Sequence, residues 1–294
     1  MLEWYSGLNN YRKHTLEFGT TNKFTVELLD VQLENVSTIQ DAFRLHVDGA
    51  NLPVEVLYSG GLDSECVLST LLTLNIPIVA VTQRLLVNNA PTNINDLYYS
   101  EKFCRENQIK QIIVDFHVDK FYNNGDHIPY MEPYRFTRFP AAALLWLMEQ
   151  CNSFPVVGGD YSWPQTNIGK KAFSPHRHDY NCYDHYMKSK GITGIGNMLS
   201  HSLDSNYIFI KEHESIKLSD VADKNVLLQN LGFNLEYRHG SYGWENIGNF
   251  TRWFDWKIIV QDLYDRFGHT ISTIKWNHTL ADLIGGEPGE NDIF

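Results

Sequence analysis

The sequence predicts an α/β fold: a parallel sheet with helices on both faces, followed by a mainly helical carboxyl-terminal extension. Three observations carry that prediction. Short apolar runs alternate with helical patterns between about residues 50 and 165. The runs are continuously apolar, as strands covered on both faces are, rather than alternating. One run, Val54-Glu55-Val56-Leu57-Tyr58, passes through two glycines straight into a helical pattern.

The 294 residues are enough for one large or two modest domains. The pattern along the chain divides it into an amino-terminal preamble over 1–50 expected to pack on the core, an α/β core over 51–165, and a loop-rich region with a helical carboxyl part over 166–294. At 43% hydrophobic and 20% charged, the balance is that of a folded globular chain. A net charge of -11 argues against a broad nucleic-acid footprint, which needs a basic face. The four cysteines, Cys66, Cys104, Cys151 and Cys182, are scattered, with no C-x-x-C pair. No signal peptide and no span long enough to cross a bilayer is visible, so a cytoplasmic setting with free thiols and no membrane partner is expected.

Phe24 to Leu29 reads as a strand. Thr38 to Val47 reads as a short helix, capped by Ser37 or Thr38, with Ile39, Phe43 and Val47 on one face. After the glycine turn, Val67, Leu68, Leu71 and Leu72 form an apolar stripe. Ile76 to Thr82 suits a buried parallel strand, with Pro77 at its start. Asn95 to Gln108 reads as a helix that turns Leu97 and Cys104 inward. Ile112 to Val118 is a further strand. Pro140 opens a strong helix over Ala141 to Gln150, and Phe154 to Val157 is the next strand. Right-handed crossovers between such strands place ligands at their carboxyl ends. Those ends are Ser59-Gly60-Gly61, Val81 to Arg84, His117 and Gly158-Gly159-Asp160, all expected at one crevice.

The chemistry centres on Ser59-Gly60-Gly61-Leu62-Asp63-Ser64. Adjacent glycines let backbone approach a ligand closely. The first N–H groups of a helix lack internal partners and carry the positive end of its dipole, so phosphate oxygens fit there. Ser59 and Ser64 add hydroxyl donors. Asp63 either caps the helix or holds a divalent cation beside the phosphates. No Gly-Lys-Ser/Thr follows, so this is not the Walker pattern.

The hexapeptide resembles the SGGxDS loop of the PP-loop ATP pyrophosphatases, whose fold is of the HUP type. Asparagine synthetase synthetase domains are the nearest in feel. The resemblance implies ATP and Mg²⁺ as cofactors and scission of ATP between the α and β phosphates. It implies nucleotide contacts from Ser59, Gly60, Gly61, Asp63, Ser64, Val81, Gly158 and Gly159. Asp63 and Asp160 are the implied Mg²⁺ ligands, since Gly158-Gly159-Asp160 lies where those synthetases carry a second glycine turn with an acidic residue. Arg138 sits where several PP-loop enzymes carry a cation near the phosphates. Lys170, beside Lys171, either steadies departing pyrophosphate or belongs to a solvated pair.

Two further clusters stand out. His176, His178, Cys182 and His185 either bind Zn²⁺ or form a polar substrate loop. Tyr237 to Glu245 suits a loop closing over a ligand, in which Arg238 pairs a carboxylate and Glu245 an amine. Phe250 to Phe267 is most simply a core helix, and Gly285 to Glu290 a loose tail.

The function expected from these residues is ATP-dependent adenylation of a small-molecule carboxylate or carbonyl oxygen, then attack by a nitrogen nucleophile. That is an asparagine-synthetase-like amide ligase. Without a Cys at position 2, nitrogen would come from free ammonia, an amine, or a separate ammonia-supplying protein. A homo-oligomer is allowed. The rivals are a sulfur-transfer or base- or nucleoside-modifying PP-loop enzyme, and a nucleotide-binding module without catalysis.

Overall fold

Continuous apolar runs become the strands of one sheet, and the patterns between them become its covering helices. The computed structural model describes residues 2–4, 12–18, 22–28, 38–131, 139–159, 164–165, 172–173, 183, 186–201, 205, 208, 228–229, 231–233, 235–236 and 243–244. The helix expected over 250–267 and the tail at 285–290 lie outside these residues, as does most of the carboxyl extension.

The amino-terminal part holds three strands where the sequence suggested one. They are β1 (Leu2–Trp4), β2 (Arg12–Phe18) and β3 (Asn22–Leu28). β3 lies in the middle, parallel to β1 and antiparallel to β2. The helix α1 (Ile39–His46) follows as expected. Thr38 caps it: its hydroxyl oxygen accepts the Asp41 N–H at 3.1 Å and its O–H donates to the Asp41 carboxylate at 2.6 Å.

The main sheet is built from β4 (Val54–Leu57), α2 (Leu62–Thr73), β5 (Ile78–Val87), β6 (Ala90–Pro91), α3 (Ile94–Glu106), β7 (Lys110–His117), α4 (Val118–Asn123), α5 (Ile128–Met131), α6 (Phe139–Met148) and β8 (Phe154–Val157). β4 is central, with β5 and β8 parallel on its two sides. β7 is parallel to β5, and the short β6 turns back antiparallel to the end of β5. The sheet is therefore mostly parallel, and mixed only by β6. A separate two-residue pair, β9 (Pro164–Gln165) with β10 (Ala172–Phe173), lies beyond it.

Alternate strand residues feed two cores, one on each face. Val54, Val56 and Ala80 join Phe43 of α1, Val67, Leu68 and Leu71 of α2 and Cys104 of α3. Leu57, Val79 and Val81 join Val118 and Phe121 of α4 and Ala142, Leu145 and Met148 of α6. Helices cover both faces, as the sequence predicts. Glu55 is a polar exception, 4% exposed in a central strand. Its carboxylate accepts the N–H groups of Asn152 (2.6 Å) and Ser153 (2.8 Å), and so fixes the turn that enters β8.

Two expectations change. β5 does not end near Thr82 but runs to Val87, paired with β7 through Leu86↔His117. β4 reaches only Leu57, opposite Val81. Val81 is thus interior to β5, its carbonyl accepting the Tyr58 N–H at 2.8 Å, and His117 lies well beyond the tips of β4 and β8. The residue Ile195 also extends the sheet past β8: it pairs with Val156, and its N–H and C=O bond to Pro155 and Val157 at 2.9 Å each.

Candidate functional site

The strand order reverses at β4, because the chain passes from β4 to β5 on one side and later returns to β8 on the other. Ligands of open α/β sheets bind outside the strand ends at such a point. The Ser59–Ser64 turn follows β4 there, and Gly158-Gly159 follows β8 beside it. The two touch. A Cβ placed on Gly158 would stand 3.0 Å from both N and Cα of Ser64.

Within the first turn Gly60 has φ +82°, which L side chains rarely adopt. Gly61 is the N-cap of α2, in extended conformation, and no side chain caps the helix. Asp63 therefore lies in the first helical turn and does not cap it, which resolves one of its two expected roles. The loop is held by its serines. Ser59 Oγ accepts the Gly61 N–H at 3.3 Å and lies 3.4 Å from Ser64 Oγ, and the Ser64 hydroxyl donates to the Gly61 carbonyl at 3.1 Å. Ser59 is exposed, Gly61 and Asp63 are half-buried, and Ser64 is buried. The amides of Leu62, Asp63 and Ser64 thus open α2 with a dipole suited to an anion.

Below the turn, the Tyr58 hydroxyl donates to the buried Glu65 carboxylate. That bond ties the end of β4 to the first turn of α2 and sets the angle between them. Cys104 lies close to Glu65, and burial with that neighbouring charge pushes its thiol up to about 12. Burial also raises Cys151 to about 12, helped by Glu55. Neither is a reactive thiolate at neutral pH.

The second turn is equally constrained. Gly159 has φ +78°, and a Cβ there would stand 2.5 Å from the Asn197 side-chain carbon Cγ. The Leu199 N–H bonds the Gly158 carbonyl at 3.1 Å. Asn197 is buried, at the start of a short 3-10 helix over Met198–Ser200. Arg84, at the expected strand end, forks onto Asp115 of β7 at 2.6 and 2.9 Å. The guanidinium beside it holds the Asp115 carboxyl below the usual carboxylate range.

Of the expected site residues, Ser59, Gly60, Gly61, Asp63, Ser64, Gly158 and Gly159 come together. Val81 lies alongside in the sheet interior rather than at a strand end. Arg138, Asp160, Lys170, Arg238, Glu245 and the His176, His178, Cys182, His185 cluster lie outside the described residues. Among the described residues no group of three His, Cys, Asp or Glu side chains could hold a metal ion, and no helix is long and apolar enough to cross a membrane. Three contributors went unread in the sequence: Glu65, Asn197, and Asp96 of α3, whose carbonyl oxygen a Cβ on Gly60 would overlap. Gly194-Ile195-Gly196-Asn197 did carry a signal, since paired small residues mark close backbone approach.

No protein-family model and no curated protein matches this chain. Among solved structures it is similar to the predicted subunit of a tRNA methyltransferase from Methanocaldococcus jannaschii, with 18% sequence identity over 60% of this chain and 85% of that one, at a TM-score of 0.32. It is also similar to the U34-tRNA thiolase NcsA from Methanococcus maripaludis, solved with its 4Fe-4S cluster, with 15% identity over 82% of each chain, at a TM-score of 0.33. Both are named for tRNA modification, and neither is named for amide ligation. The expectation of an asparagine-synthetase-like amide ligase is corrected on that finding, which matches the alternative of a sulfur-transfer or nucleoside-modifying enzyme.

Proposed function

We propose that this chain is an ATP-dependent enzyme of the PP-loop type that cuts ATP between its α and β phosphates and transfers AMP to an oxygen of a base or nucleoside. One observation carries the proposal. The SGGLDS turn and the Gly158-Gly159 turn stand in contact at the carboxyl end of the sheet, where the strand order reverses.

The chemistry follows from the groups of the loop. The amides of Leu62 to Ser64 and the hydroxyls of Ser59 and Ser64 are donors for the β and γ phosphates, and the α2 dipole favours their charge. The absence of a side chain at Gly61, where a Cβ would meet only Ser59 Oγ at 3.2 Å, leaves that backbone open to a phosphate, while Gly60 and Gly158 make room for the backbone of Asp96 and Ser64. An acceptor oxygen attacks the α-phosphorus, the bond to the bridging oxygen breaks, and pyrophosphate leaves with the electron pair. The same donors then meet the charge that builds on the leaving group. AMP is afterwards displaced by the incoming group. Asp63 offers the carboxylate oxygen that Mg²⁺ takes beside substrate phosphates, and Mg²⁺, when bound, supplies charge neutralisation there. Asp160, next after Gly159, and the cations Arg138 and Lys170 complete the proposed set from the sequence alone.

The acceptor class rests on two further points. A net charge of -11 favours a free base or nucleoside over a long polynucleotide. A sulfur relay through the described thiols is disfavoured, because Cys66 and Cys104 are buried and Cys104 and Cys151 have thiols raised to about 12. The test is to incubate the protein with ATP, Mg²⁺ and separate pools of nucleosides, bulk tRNA and small carboxylic acids. AMP and pyrophosphate, stimulated by the nucleoside pool and lost in Asp63→Ala, are expected. Release of ADP and phosphate overturns the bond assignment. Tight ATP binding with no turnover on any pool identifies a binding module instead.

A further inference from the structure

We infer that Asp96 is a positioning residue that ties the Gly243–Trp244 segment of the carboxyl half to the Ser59–Ser64 loop, so that the two shift together. Asp96 lies in the first turn of α3 and faces two ways. Its backbone presses on the loop: a Cβ on Gly60 would overlap the Asp96 carbonyl oxygen and stand 3.0 Å from its carbonyl carbon. Its side chain reaches the other way, where Oδ2 accepts the Gly243 N–H at 3.0 Å. Gly243 is close enough that a Cβ there would overlap that of Asn93 and stand 3.2 Å from Asp96 Oδ2. Glycine on both sides is what leaves room for Asp96 between them.

The support behind Asp96 is rigid. Asn93 is buried, and its side chain accepts the Leu85 N–H at 2.9 Å and donates to the Gln83 carbonyl at 2.8 Å. The start of α3 is thereby fixed to β5, and pressure at Gly60 is not absorbed by a loose helix end. Trp244 carries the contact onward, its ring 6.3 Å from that of Phe116 and 6.4 Å from that of Tyr122. A second link, Lys102 to Glu236 at 2.6 Å, joins α3 to the same carboxyl region but is open to solvent, half-buried at Lys102 and exposed at Glu236. Exposed pairs contribute little. A hydrogen bond from a backbone N–H to a carboxylate is stronger, so Asp96 is the tether that matters.

The ligand-dependent part rests on the nucleotide reading of the loop. A nucleotide seated on Ser59–Ser64 bears on Gly60, and through Asp96 on the Gly243–Trp244 segment. The tether itself is independent of that reading, and the experiment separates the two. Hydrogen exchange of the full-length protein is followed by mass spectrometry in wild type, Asp96→Ala, Asp96→Asn and Gly60→Ala. The peptide over Val54–Leu57 serves as a check that the core is folded. Asp96→Ala is expected to speed exchange over Gly243–Trp244 about tenfold, Asp96→Asn, which keeps an acceptor oxygen, to restore most of the protection, and Gly60→Ala to loosen the same distant peptide. Where Gly60→Ala loses the core, the two Asp96 variants decide. Unchanged exchange over Gly243–Trp244 in a folded Asp96→Ala overturns the tether. With ATP added, slower exchange there in wild type but not in Asp96→Ala is expected. Saturating ATP that leaves the wild-type peptide unchanged overturns the coupling. ATP that fails to bind at all removes the proposed function, and the comparison of Ala with Asn still decides the tether.

Discussion

Gly60→Ala tests the contact between the loop and α3 in stability alone, with no ligand needed. Two costs add at this position. The first is conformational: an L side chain in the left-handed region costs about 1–2 kcal/mol. The second is steric: the new Cβ meets the Asp96 carbonyl, which is backbone inside the first turn of α3 and cannot rotate away. Overpacking against such a neighbour costs about 1–3 kcal/mol. The sum is about 3 kcal/mol.

Gly49 isolates the first cost. Its φ is +75°, against +82° at Gly60, and a Cβ there would find nothing within 4 Å. Gly49→Ala gains the same restriction of the unfolded chain and suffers the same left-handed penalty, so its loss is about 1 kcal/mol. For a chain of this size each kcal/mol moves the melting midpoint by about 2–3 °C. Scanning calorimetry should therefore place Gly60→Ala roughly 6–9 °C below wild type and Gly49→Ala roughly 2–3 °C below it. The difference between the variants reports the Asp96 contact. Equal losses would refute the close approach of α3 to the loop, and with it the geometry from which the coupling to Gly243 is derived.

Burial lowers the pKa of His46 strongly and that of His201 to about 4, and the two rings meet edge to face at 4.9 Å. The unfolded chain takes up protons at these sites near pH 6.5 and the folded chain does not, so stability is full above pH 6.5 and falls as the pH drops toward about 4; urea titrations should show about 2 kcal/mol lost by pH 5 from His201 alone, and a flat profile from 7 to 5 would contradict the desolvation of these rings. Glu55→Ala strands the Asn152 and Ser153 amides and should cost about 2–4 kcal/mol by urea midpoint, while Glu55→Gln, keeping one acceptor oxygen, recovers about half. A thiol reagent at pH 8 should modify at most one of the four cysteines before denaturation, because Cys66 and Cys104 are buried and the thiols of Cys104 and Cys151 are raised to about 12; rapid labelling of two or more refutes those assignments.

What was legible in the sequence was local. The helix α1 announces itself through Thr38 and an apolar face that includes Ile39 and Phe43, all within three turns. The β4 to α2 passage is legible because a buried strand, a glycine pair and a helix start are contiguous. Even β2 is readable, since Arg12 to Phe18 alternates His14, Leu16 and Phe18 with Lys13, Thr15 and Glu17, a period-two signal. The strand end at Val81 misled for a physical reason. Gln83 and Arg84 look like loop residues, but β5 outruns β4, and over that stretch β7 supplies a pairing partner and Asp115 a partner for Arg84. Polarity marks where a strand meets water, not where its hydrogen-bond ladder stops.

The unread part of the site is made of contacts between residues far apart in sequence. Nothing near Asp96 states that its carbonyl will press on Gly60, and nothing near Asn197 states that it will lie on Gly159. Each glycine could be recognised as a turn residue, yet the reason it must lack a side chain lies elsewhere in the chain. The same contacts explain why the two glycine turns act as one surface. Gly158 sits on Ser64 and the Asp96 carbonyl sits on Gly60, so the loop is gripped from both flanks by backbone, while the Asn197 side chain lies on Gly159. Under the proposed function, a loop held in this way would keep its donor groups in place before a phosphate arrives, which is the condition under which such groups favour the charge of a departing pyrophosphate over that of bulk-solvated ATP.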